Sequence, residues 1–289
     1  MVSSRTLIPE LKSMFNFKDC EISSIEFDSR EVKEGSIFFA LKGLKEDGSI
    51  FIEEAVDRGA KIVLSEDAFP ENPRVMQVSN LRSYLGIVSS RFYDNPSTKL
   101  HTFCVTGTNG KSSIADFYFQ LLNLSNKKVA SIGTLGIRTK NNLKNVSNTT
   151  LDPIGLSKIL NNLKKQRIDN VILEASSHGL KQNRLDGLKF NTAIFTNLSH
   201  DHLDYHKSLN NYINAKLKLF IQNAKPNGIL IISKDTQYYP IICKKLKSRN
   251  IKYLTFGLKK ADFEIKEISR NNSRVEMQLN HASKKYIFK

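Results

Sequence analysis

The fold of this chain is decided by the stretch Val105-Thr106-Gly107-Thr108-Asn109-Gly110-Lys111-Ser112-Ser113. A short run of β-branched and aromatic residues, 102–105, leads into it, and a run with helical spacing of apolar residues, 114–124, follows. The pattern therefore predicts a strand, a glycine-containing loop and the first turn of a helix. In such a loop the backbone N–H groups converge on an anion, and the helix dipole adds positive potential at the same point. We predict a nucleotide-phosphate site here.

The residue types within this loop fit phosphate chemistry. Gly107 and Gly110 allow backbone angles and a close approach that a Cβ would hinder. Lys111 supplies a point charge for the β- and γ-phosphates, and Ser112 supplies a hydroxyl for Mg²⁺. The common P-loop pattern is incomplete, because it requires a glycine where Val105 stands. A tight turn capped by Ser112 is the alternative, but such a turn requires neither the lysine nor two glycines.

Length and composition indicate a soluble globular protein with two domains. The 289 residues are 40% hydrophobic, and no apolar run approaches the ~20 residues of a membrane span. The N-terminus lacks the apolar core of a signal peptide, so we expect a cytoplasmic location. Cys20, Cys104 and Cys243 are far apart and show no CxxC spacing, which argues against a disulfide framework or a zinc site.

The net charge of +16 raises the possibility of a nucleic-acid partner. However, the lysines are spread among asparagines and isoleucines instead of forming one block, so a compositional bias explains the charge better. We therefore expect no nucleic-acid partner and no membrane insertion, although an anionic substrate would be attracted by the same field.

The clearest domain boundary is 95–99, a polar segment with a proline directly before the predicted P-loop strand. We predict an N-terminal domain over 1–97 and a central domain over 98–289. The fold class is α/β, with a small N-terminal α/β domain followed by a P-loop-containing domain with a mainly parallel sheet. The elements predicted in the N-terminal domain are strands over 22–27, 36–41, 61–65 and 75–78 and helices over 51–58 and 81–93.

In the central domain, Asp152 is the predicted N-cap of a helix with Pro153 in its first turn. A strand is predicted to begin directly after Pro226-Asn227-Gly228, at Ile229. Near the end, two alternating runs flank 270–273, a hairpin signal. The elements predicted after the loop are strands over 129–132, 170–175, 191–196, 229–233, 251–256, 263–268 and 274–279 and helices over 210–223 and 238–249.

Two further segments carry polar groups at predicted strand ends. Glu174 ends an apolar strand, where α/β sheets place ligands, so it could bind Mg²⁺ or a water, or form a salt bridge. The second segment, 197–206, places three histidines and two aspartates within seven residues. This composition suggests a hard metal ion bound by oxygens with one imidazole, and some of the histidines are expected to be surface or capping residues.

Lys216 lies in the middle of an apolar arc on the predicted helix 210–223. At 100° per residue it shares this arc with Tyr212 and Leu219, whereas Lys218 falls on the opposite, solvated side. A lysine in an apolar arc either extends its ammonium group to solvent or has a function. From the helix pattern alone, we expect the ammonium group to extend to solvent, with a function as the alternative.

Taken together, these segments resemble the Mur ligase family, and most closely its MurE type, over essentially the whole chain. The residues that carry the resemblance are Gly107-Thr108-Asn109-Gly110-Lys111-Ser112-Ser113, Asn148-Thr149-Thr150, Glu174-Ala175-Ser176-Ser177-His178-Gly179-Leu180, the segment 197–206 and Tyr212-Ile213-Asn214-Ala215-Lys216. In this family the loop has its own form, with Thr-Asn between the glycines, which accounts for the incomplete P-loop pattern.

The resemblance implies roles for individual residues. The whole loop 107–113 is implied to bind ATP, with Lys111, His202 and a carbamylated Lys216 as the catalytic residues. The implied Mg²⁺ ligands are Ser112, Glu174, His202 and Lys216. The implied contacts to the UDP-sugar substrate are Phe27, Ser29, Leu44, Lys45, Glu46, Asn148, Thr149, Thr150, Ser176, Gln182 and Arg184.

The reaction implied by the resemblance is ATP-dependent amide ligation in peptidoglycan precursor synthesis. ATP phosphorylates the D-glutamate γ-carboxylate of UDP-MurNAc-L-Ala-D-Glu, and the amine of a diamino acid attacks the acyl phosphate. Meso-diaminopimelate is favoured over L-lysine as this third residue. Positioning and charge neutralisation by Mg²⁺, Lys111 and helix dipoles would supply most of the catalysis. A monomer is expected.

Members of this family also carry a C-terminal domain that binds the incoming amino acid, and we expect that domain to be absent from these 289 residues. The alternative function is therefore a catalytically incomplete fragment that binds UDP-sugar and ATP. A third possibility, a basic P-loop protein associated with nucleic acid, has only the charge in its favour.

Overall fold

The computed structural model describes residues 1–10, 18–43, 46–270 and 275–288. In chain order the strands are β1 (Val2–Ser3), β2 (Glu21–Ile22), β3 (Ser24–Glu26), β4 (Ser36–Phe39), β5 (Ile62–Ser65), β6 (Val75–Gln77), β7 (His101–Thr106), β8 (Val129–Gly133), β9 (Gly136–Arg138), β10 (Leu143–Lys144), β11 (Asn170–Glu174), β12 (Phe190–Phe195), β13 (Ala224–Ser233), β14 (Leu254–Gly257), β15 (Phe263–Arg270), β16 (Val275–His281) and β17 (Lys284–Phe288). The helices are α1 (Ser4–Leu7), α2 (Ile52–Asp57), α3 (Leu81–Phe92), α4 (Lys111–Leu124), α5 (Pro153–Lys165), α6 (Ser177–Lys181), α7 (Leu203–His206), α8 (Leu209–Gln222) and α9 (Tyr239–Lys247).

These elements form two compact units. The first comprises residues 1–99, 151–166 and 182–188, and the second comprises 100–150, 167–181 and 189–289. This division differs from the predicted boundaries, because α5 and the segment 182–188 join the first unit. Within that unit α5 packs on α3, and the Ser83 hydroxyl donates a hydrogen bond of 2.7 Å to Asp186.

The first unit is built on a parallel sheet with the strand order β3-β4-β5-β6. Side chains alternate across β4, as a strand buried on both faces requires. Ile37 and Phe39 belong to one apolar cluster with Leu85 of α3, whereas Phe38 belongs to another with Ile52 of α2. Each face of this sheet is therefore covered by a helix.

The second unit is built on an eleven-stranded sheet with the order β10-β9-β8-β11-β7-β12-β13-β14-β15-β16-β17. The seven strands that lie between β8 and β15 in this order, both included, run parallel. Beyond them, β9 and β10 at one end and β16 and β17 at the other are joined by antiparallel pairing. This arrangement confirms the predicted fold class. A buried cluster of Phe103, Val105, Phe119 and Ile172 packs α4 onto the centre of the sheet.

Several elements differ from those predicted. The predicted strand 22–27 is divided into β2 and β3. The strand predicted over 229–233 begins earlier, at Ala224, because β13 includes Pro226-Asn227-Gly228 as an irregularity in its pairing with β12. Phe190 pairs with Ala224 and Thr192 pairs with Ile229. Between these two pairs β12 advances by two residues and β13 advances by five. The short strands β9, β10 and β17 were not predicted, and the hairpin signal at 271–273 lies outside the described residues.

No helix within the described ranges is both long enough and apolar enough to cross a membrane.

Candidate functional site

The predicted loop joins β7 to α4 at the centre of the large sheet, and its two glycines have different roles. Gly110, immediately before α4, has a φ of +80°, a left-handed conformation that favours glycine. At Gly107 the requirement is space, because a Cβ would lie 1.8 Å from the Thr196 hydroxyl oxygen. The loop therefore needs one glycine for its backbone conformation and the other for a close approach.

The residues that follow β12 hold this loop in place. β12 is the parallel neighbour of β7, so the two strands end at the same edge of the sheet. The Asn109 N–H donates to the Asn197 side chain at 2.9 Å, and the Asn197 amide donates back to the Asn109 carbonyl oxygen at 3.0 Å. The Thr196 hydroxyl donates to the same carbonyl oxygen at 2.8 Å. Asn197 thus orders the loop, a role that sequence reasoning did not assign.

Lys111 is partly buried within the loop. Its Nζ donates to the carbonyl oxygens of Gly107 at 3.1 Å and Thr108 at 2.8 Å. Burial lowers the pKa of Lys111 from its ordinary value, while the negative charges of Glu174 and Asp201 oppose that change. The ammonium group is therefore held by two backbone carbonyl oxygens of the loop.

Glu174 ends β11, the other parallel neighbour of β7, and its side chain is 3% exposed. Its Oε2 accepts hydrogen bonds from the Ser112 hydroxyl at 2.8 Å and the Thr134 hydroxyl at 3.2 Å. Its Oε1 accepts the Thr134 N–H at 3.0 Å. Ser112 and Glu174, which were predicted to share a metal ion, are thus in direct contact.

The predicted substrate-binding hydroxyls continue from this carboxylate. The hydroxyl oxygens of Thr149 and Thr134 lie 3.0 Å apart and share a hydrogen bond. Thr150 is buried, and its hydroxyl donates to the Glu174 carbonyl oxygen at 3.0 Å and accepts the Ser176 N–H at 3.0 Å. Asn148 is exposed. Thr150 and Ser176 therefore tie the segment before α5 to the end of β11.

Lys216 of α8 is almost completely buried, with 1% of its surface exposed. Its Nζ donates to the Gly107 carbonyl oxygen at 2.7 Å and lies 4.5 Å from the centre of the Tyr212 ring. Burial lowers the pKa of Lys216 to about 7, the positive charge of Lys111 contributes in the same direction, and Asp201 opposes. Because the ammonium group points into the site, extension to solvent is excluded.

Lys218 corrects one expectation. It was predicted to be an ordinary solvated lysine, but it is half-buried, and its Nζ lies 3.4 Å from the Leu180 carbonyl oxygen. Helix α6, which contains Leu180, packs on α8 and covers this side of the helix.

The structure separates the three histidines of 197–206. His200 and His202 are exposed, whereas His206 is 1% exposed and its two ring nitrogens have no hydrogen-bond partner among the described residues. Burial, followed by the positive charge of Lys181, lowers the pKa of His206 to about 4. His206 is therefore a buried neutral ring.

His202 reaches the rest of the site through aromatic neighbours. Its ring centre lies 4.8 Å from that of His178 and 6.4 Å from that of Tyr212. Its Nε2 lies 3.3 Å from an Asp201 carboxylate oxygen. Across the described ranges, no three histidine, cysteine, aspartate or glutamate side chains form a metal-binding group by themselves.

The remaining residues implied to contact the UDP-sugar substrate belong to the first unit. Phe27 is 43% exposed, and the buried Ser29 donates its hydroxyl to Glu54 at 2.8 Å. Glu46 is exposed. Leu44 and Lys45 lie outside the described residues. Gln182 and Arg184 also belong to this unit, where Arg184 Nε donates to the Gln182 side-chain oxygen at 3.0 Å.

The fold and loop define an α/β protein of the phosphate-loop class. Residues 105–289 match the Mur ligase middle domain, and residues 21–93 match the Mur ligase family catalytic domain. This chain belongs to the Mur ligase family.

Two of its sequence relatives carry the same ligase name. The chain is 38% identical over 279 residues to the UDP-N-acetylmuramoyl-L-alanyl-D-glutamate--2,6-diaminopimelate ligase of Rickettsia montanensis, covering 94% of this chain and 57% of the relative. It is also 38% identical over 272 residues to the ligase of the same name from Alkaliphilus oremlandii, covering 93% and 55%. The chain thus spans little more than half the length of these curated relatives.

Solved structures agree with this assignment. A structure with the same ligase name superposes with a TM-score of 0.85 at 29% identity, covering all of this chain and 59% of the other. MurF from Thermotoga maritima, solved in complex with ADP, gives a TM-score of 0.57 at 20% identity, covering 91% and 57%. The second similarity concerns the fold alone.

Proposed function

We propose that this chain provides the ATP-phosphate and nucleotide-sugar sites of an amide ligase. The ligase would add a diamino acid, with meso-diaminopimelate favoured over L-lysine, to UDP-MurNAc-L-Ala-D-Glu through an acyl phosphate. The observation that carries this proposal is the contact of Ser112 and Glu174 beside a loop whose carbonyl oxygens engage two lysines. The sequence relatives named above support the substrate assignment.

The donor set at the loop fits Mg²⁺. A magnesium ion usually takes one or two carboxylates, substrate phosphates and waters instead of a complete cage of protein ligands. Ser112 and Glu174 supply a hydroxyl and a carboxylate 2.8 Å apart at the start of α4, where bound phosphates are expected. Ser112 and Glu174 would hold the ion, and His202 and a carbamylated Lys216 are the further proposed ligands. When bound, Mg²⁺ would neutralise charge on the transferring phosphoryl group.

The residues of the chain would act mainly by positioning and charge. The loop N–H groups and Lys111 would hold the phosphates. The carbonyl oxygens of Gly107 and Thr108 orient the lysine by accepting hydrogen bonds from its Nζ. Thr149, Thr150 and Ser176 would contact the substrate at the ends of the same strands. Lys216, with its pKa of about 7, is substantially neutral near pH 7, as reaction of an amine with CO₂ to give a carbamate requires.

Nucleotide binding tests the phosphate-site part of the proposal. Lys111→Ala should lower ADP affinity at least tenfold in calorimetric titrations with Mg²⁺, because a charged hydrogen bond contributes about 1.5–3 kcal/mol. Lys127→Ala, which removes an exposed lysine just beyond the same helix, is the matched control and should bind ADP like the parent. Equal affinity of Lys111→Ala and the parent would refute the assignment of this loop.

Substrate binding tests the other part. The 289-residue chain should bind UDP-MurNAc-L-Ala-D-Glu more tightly than UDP-MurNAc-L-Ala, which lacks the reacting carboxylate. A mass-spectrometric assay for tripeptide product, with ATP, Mg²⁺ and either diamino acid, then separates the ligase from the alternative of binding without ligation. Failure to bind either nucleotide sugar would reject the proposed substrate class.

A further inference from the structure

Thr134 occupies a position that no motif singled out. It follows β8, the parallel neighbour of β11, and the pairing of Ile132 with Leu173 places Gly133 beside Glu174. A Cβ at Gly133 would lie 2.2 Å from Glu174 Oε1, so the backbone there must pass directly against the carboxylate. Thr134 then turns both its N–H and its hydroxyl onto the two carboxylate oxygens, at 3.0 and 3.2 Å.

The hydrogen bonds of Thr134 have a defined direction. A carboxylate only accepts, so the single hydroxyl proton of Thr134 is committed to Glu174. The Thr134 oxygen can therefore only accept in its 3.0 Å contact with the Thr149 hydroxyl, and Thr149 must donate. As a result, Thr149 has lone pairs but no proton to offer a substrate group.

A cation attracted to Glu174 would compete with the two hydroxyls that occupy Oε2, those of Ser112 and Thr134. If the Thr134 proton turns from Glu174 to the Thr149 oxygen, the Thr149 proton is released and can be donated. The substrate expected at Thr149 is rich in carboxylate and carbonyl oxygens, which accept hydrogen bonds. Release of that proton should therefore strengthen substrate binding.

We propose that Thr134 is a positioning residue that couples the divalent-cation site at Glu174 to the substrate site at Thr149. The inference rests on the proposed function, because it takes Thr149 as a substrate contact. It goes beyond that function by assigning a reciprocal linkage between two ligands to one hydroxyl group. Each ligand tightens the binding of the other through the hydrogen-bond direction that Thr134 sets.

The test is a calorimetric titration of the chain with UDP-MurNAc-L-Ala-D-Glu in the presence of ADP, either with saturating Mg²⁺ or with EDTA. In the parent, Mg²⁺ should tighten binding by about fivefold or more, the lower end of typical couplings. Thr134→Ser keeps the hydroxyl and should keep this factor. Thr134→Val keeps the backbone N–H to Glu174 but removes the hydroxyl, and its factor should fall below about twofold.

A second variant approaches the same hydrogen bond from its other end. Thr149→Val should weaken binding in the presence of Mg²⁺ and should lose the Mg²⁺ factor, because no proton remains to be released. If Thr134→Val and Thr149→Val keep the factor of the parent, or if the parent shows none, the coupling is refuted while the proposed function stands. If the parent binds no nucleotide sugar under either condition, both are refuted.

Discussion

Replacement of the buried lysine of α8 should change how stability depends on pH. Lys216 carries a group with an ordinary pKa of 10.5 that is lowered to about 7 in the folded chain, chiefly by burial. Below about pH 7 both states are protonated, and the folded state bears the full cost of a buried charge. Between about 7 and 10.5 the unfolded chain holds a proton that the folded chain has released, so the free energy of unfolding rises with pH.

The magnitude follows from these two pKa values. Each pH unit inside this window contributes up to 1.36 kcal/mol. Because the folded lysine is still half protonated at pH 7, the rise between about pH 7 and about pH 9 is about 2 kcal/mol. Lys216→Met has a similar length without a titrating group, so this contribution should be missing from the variant.

Urea denaturation of the parent and Lys216→Met at both pH values provides the assay, in buffer free of CO₂ because a neutral amine can form a carbamate. Lys218→Met is the matched control on the same helix, where the side chain is only half buried. The parent should gain about 2 kcal/mol relative to Lys216→Met on going to the higher pH. A difference between them that does not change with pH would refute the assignment of a neutral, buried amine.

Three further predictions concern single side chains. Asp152→Ala should lower the free energy of unfolding, measured with urea, by about 1 kcal/mol. The reason is that the Asp152 carboxylate caps α5 by accepting a 2.8 Å hydrogen bond from the Gly155 N–H. Asp152→Asn should retain most of this stability, because the amide oxygen can accept the same hydrogen bond. The parent should lose stability as the pH falls from about 6.5 towards about 4, because in this range His206 binds a proton only in the unfolded chain. Thermal melts of the parent should show a fall in Tm from this source, and melts of His206→Phe should not show it. His202→Ala should weaken the Mg²⁺ dependence of ADP binding while His200→Ala does not, and superimposable Mg²⁺ titrations would remove His202 from the site.

The sequence was informative where a local pattern has one structural outcome. The helical spacing around Lys216 correctly placed it in an apolar arc, because the structure buries this face of α8. The expected extension of its ammonium group to solvent was wrong, since its Nζ donates to the Gly107 carbonyl oxygen, a partner that the helix pattern cannot reveal. Asp152 caps α5 as predicted, because the Asp-Pro pair is a signal contained within one turn.

The sequence did not predict roles that arise from the pairing of distant strands. Thr134 contacts Glu174 across 40 residues of chain, and this contact exists only because β8 and β11 are neighbours in the sheet. Asn197 meets Asn109 for the same reason, across β12 and β7. Neither residue belongs to a periodic pattern, so composition and spacing carry no sign of their contacts. The start of β13 was predicted five residues too late for a related reason, since pairing with β12 begins at Ala224, before Pro226.

The position of the site within the sheet has a consequence for its motions. β11 ends at Glu174, β7 leads into the loop before α4, and β12 is followed by Asn197 two residues after its end. These three are consecutive strands in the interior of the eleven-stranded sheet, each hydrogen-bonded to a strand on both sides. Backbone amides in such strands exchange with solvent mainly when a large cooperative unit opens, whereas those of edge strands exchange through local fraying. The slowest-exchanging amides of this unit should therefore lie directly beneath Glu174, the loop and Asn197, and these residues should hold their positions until the unit itself unfolds.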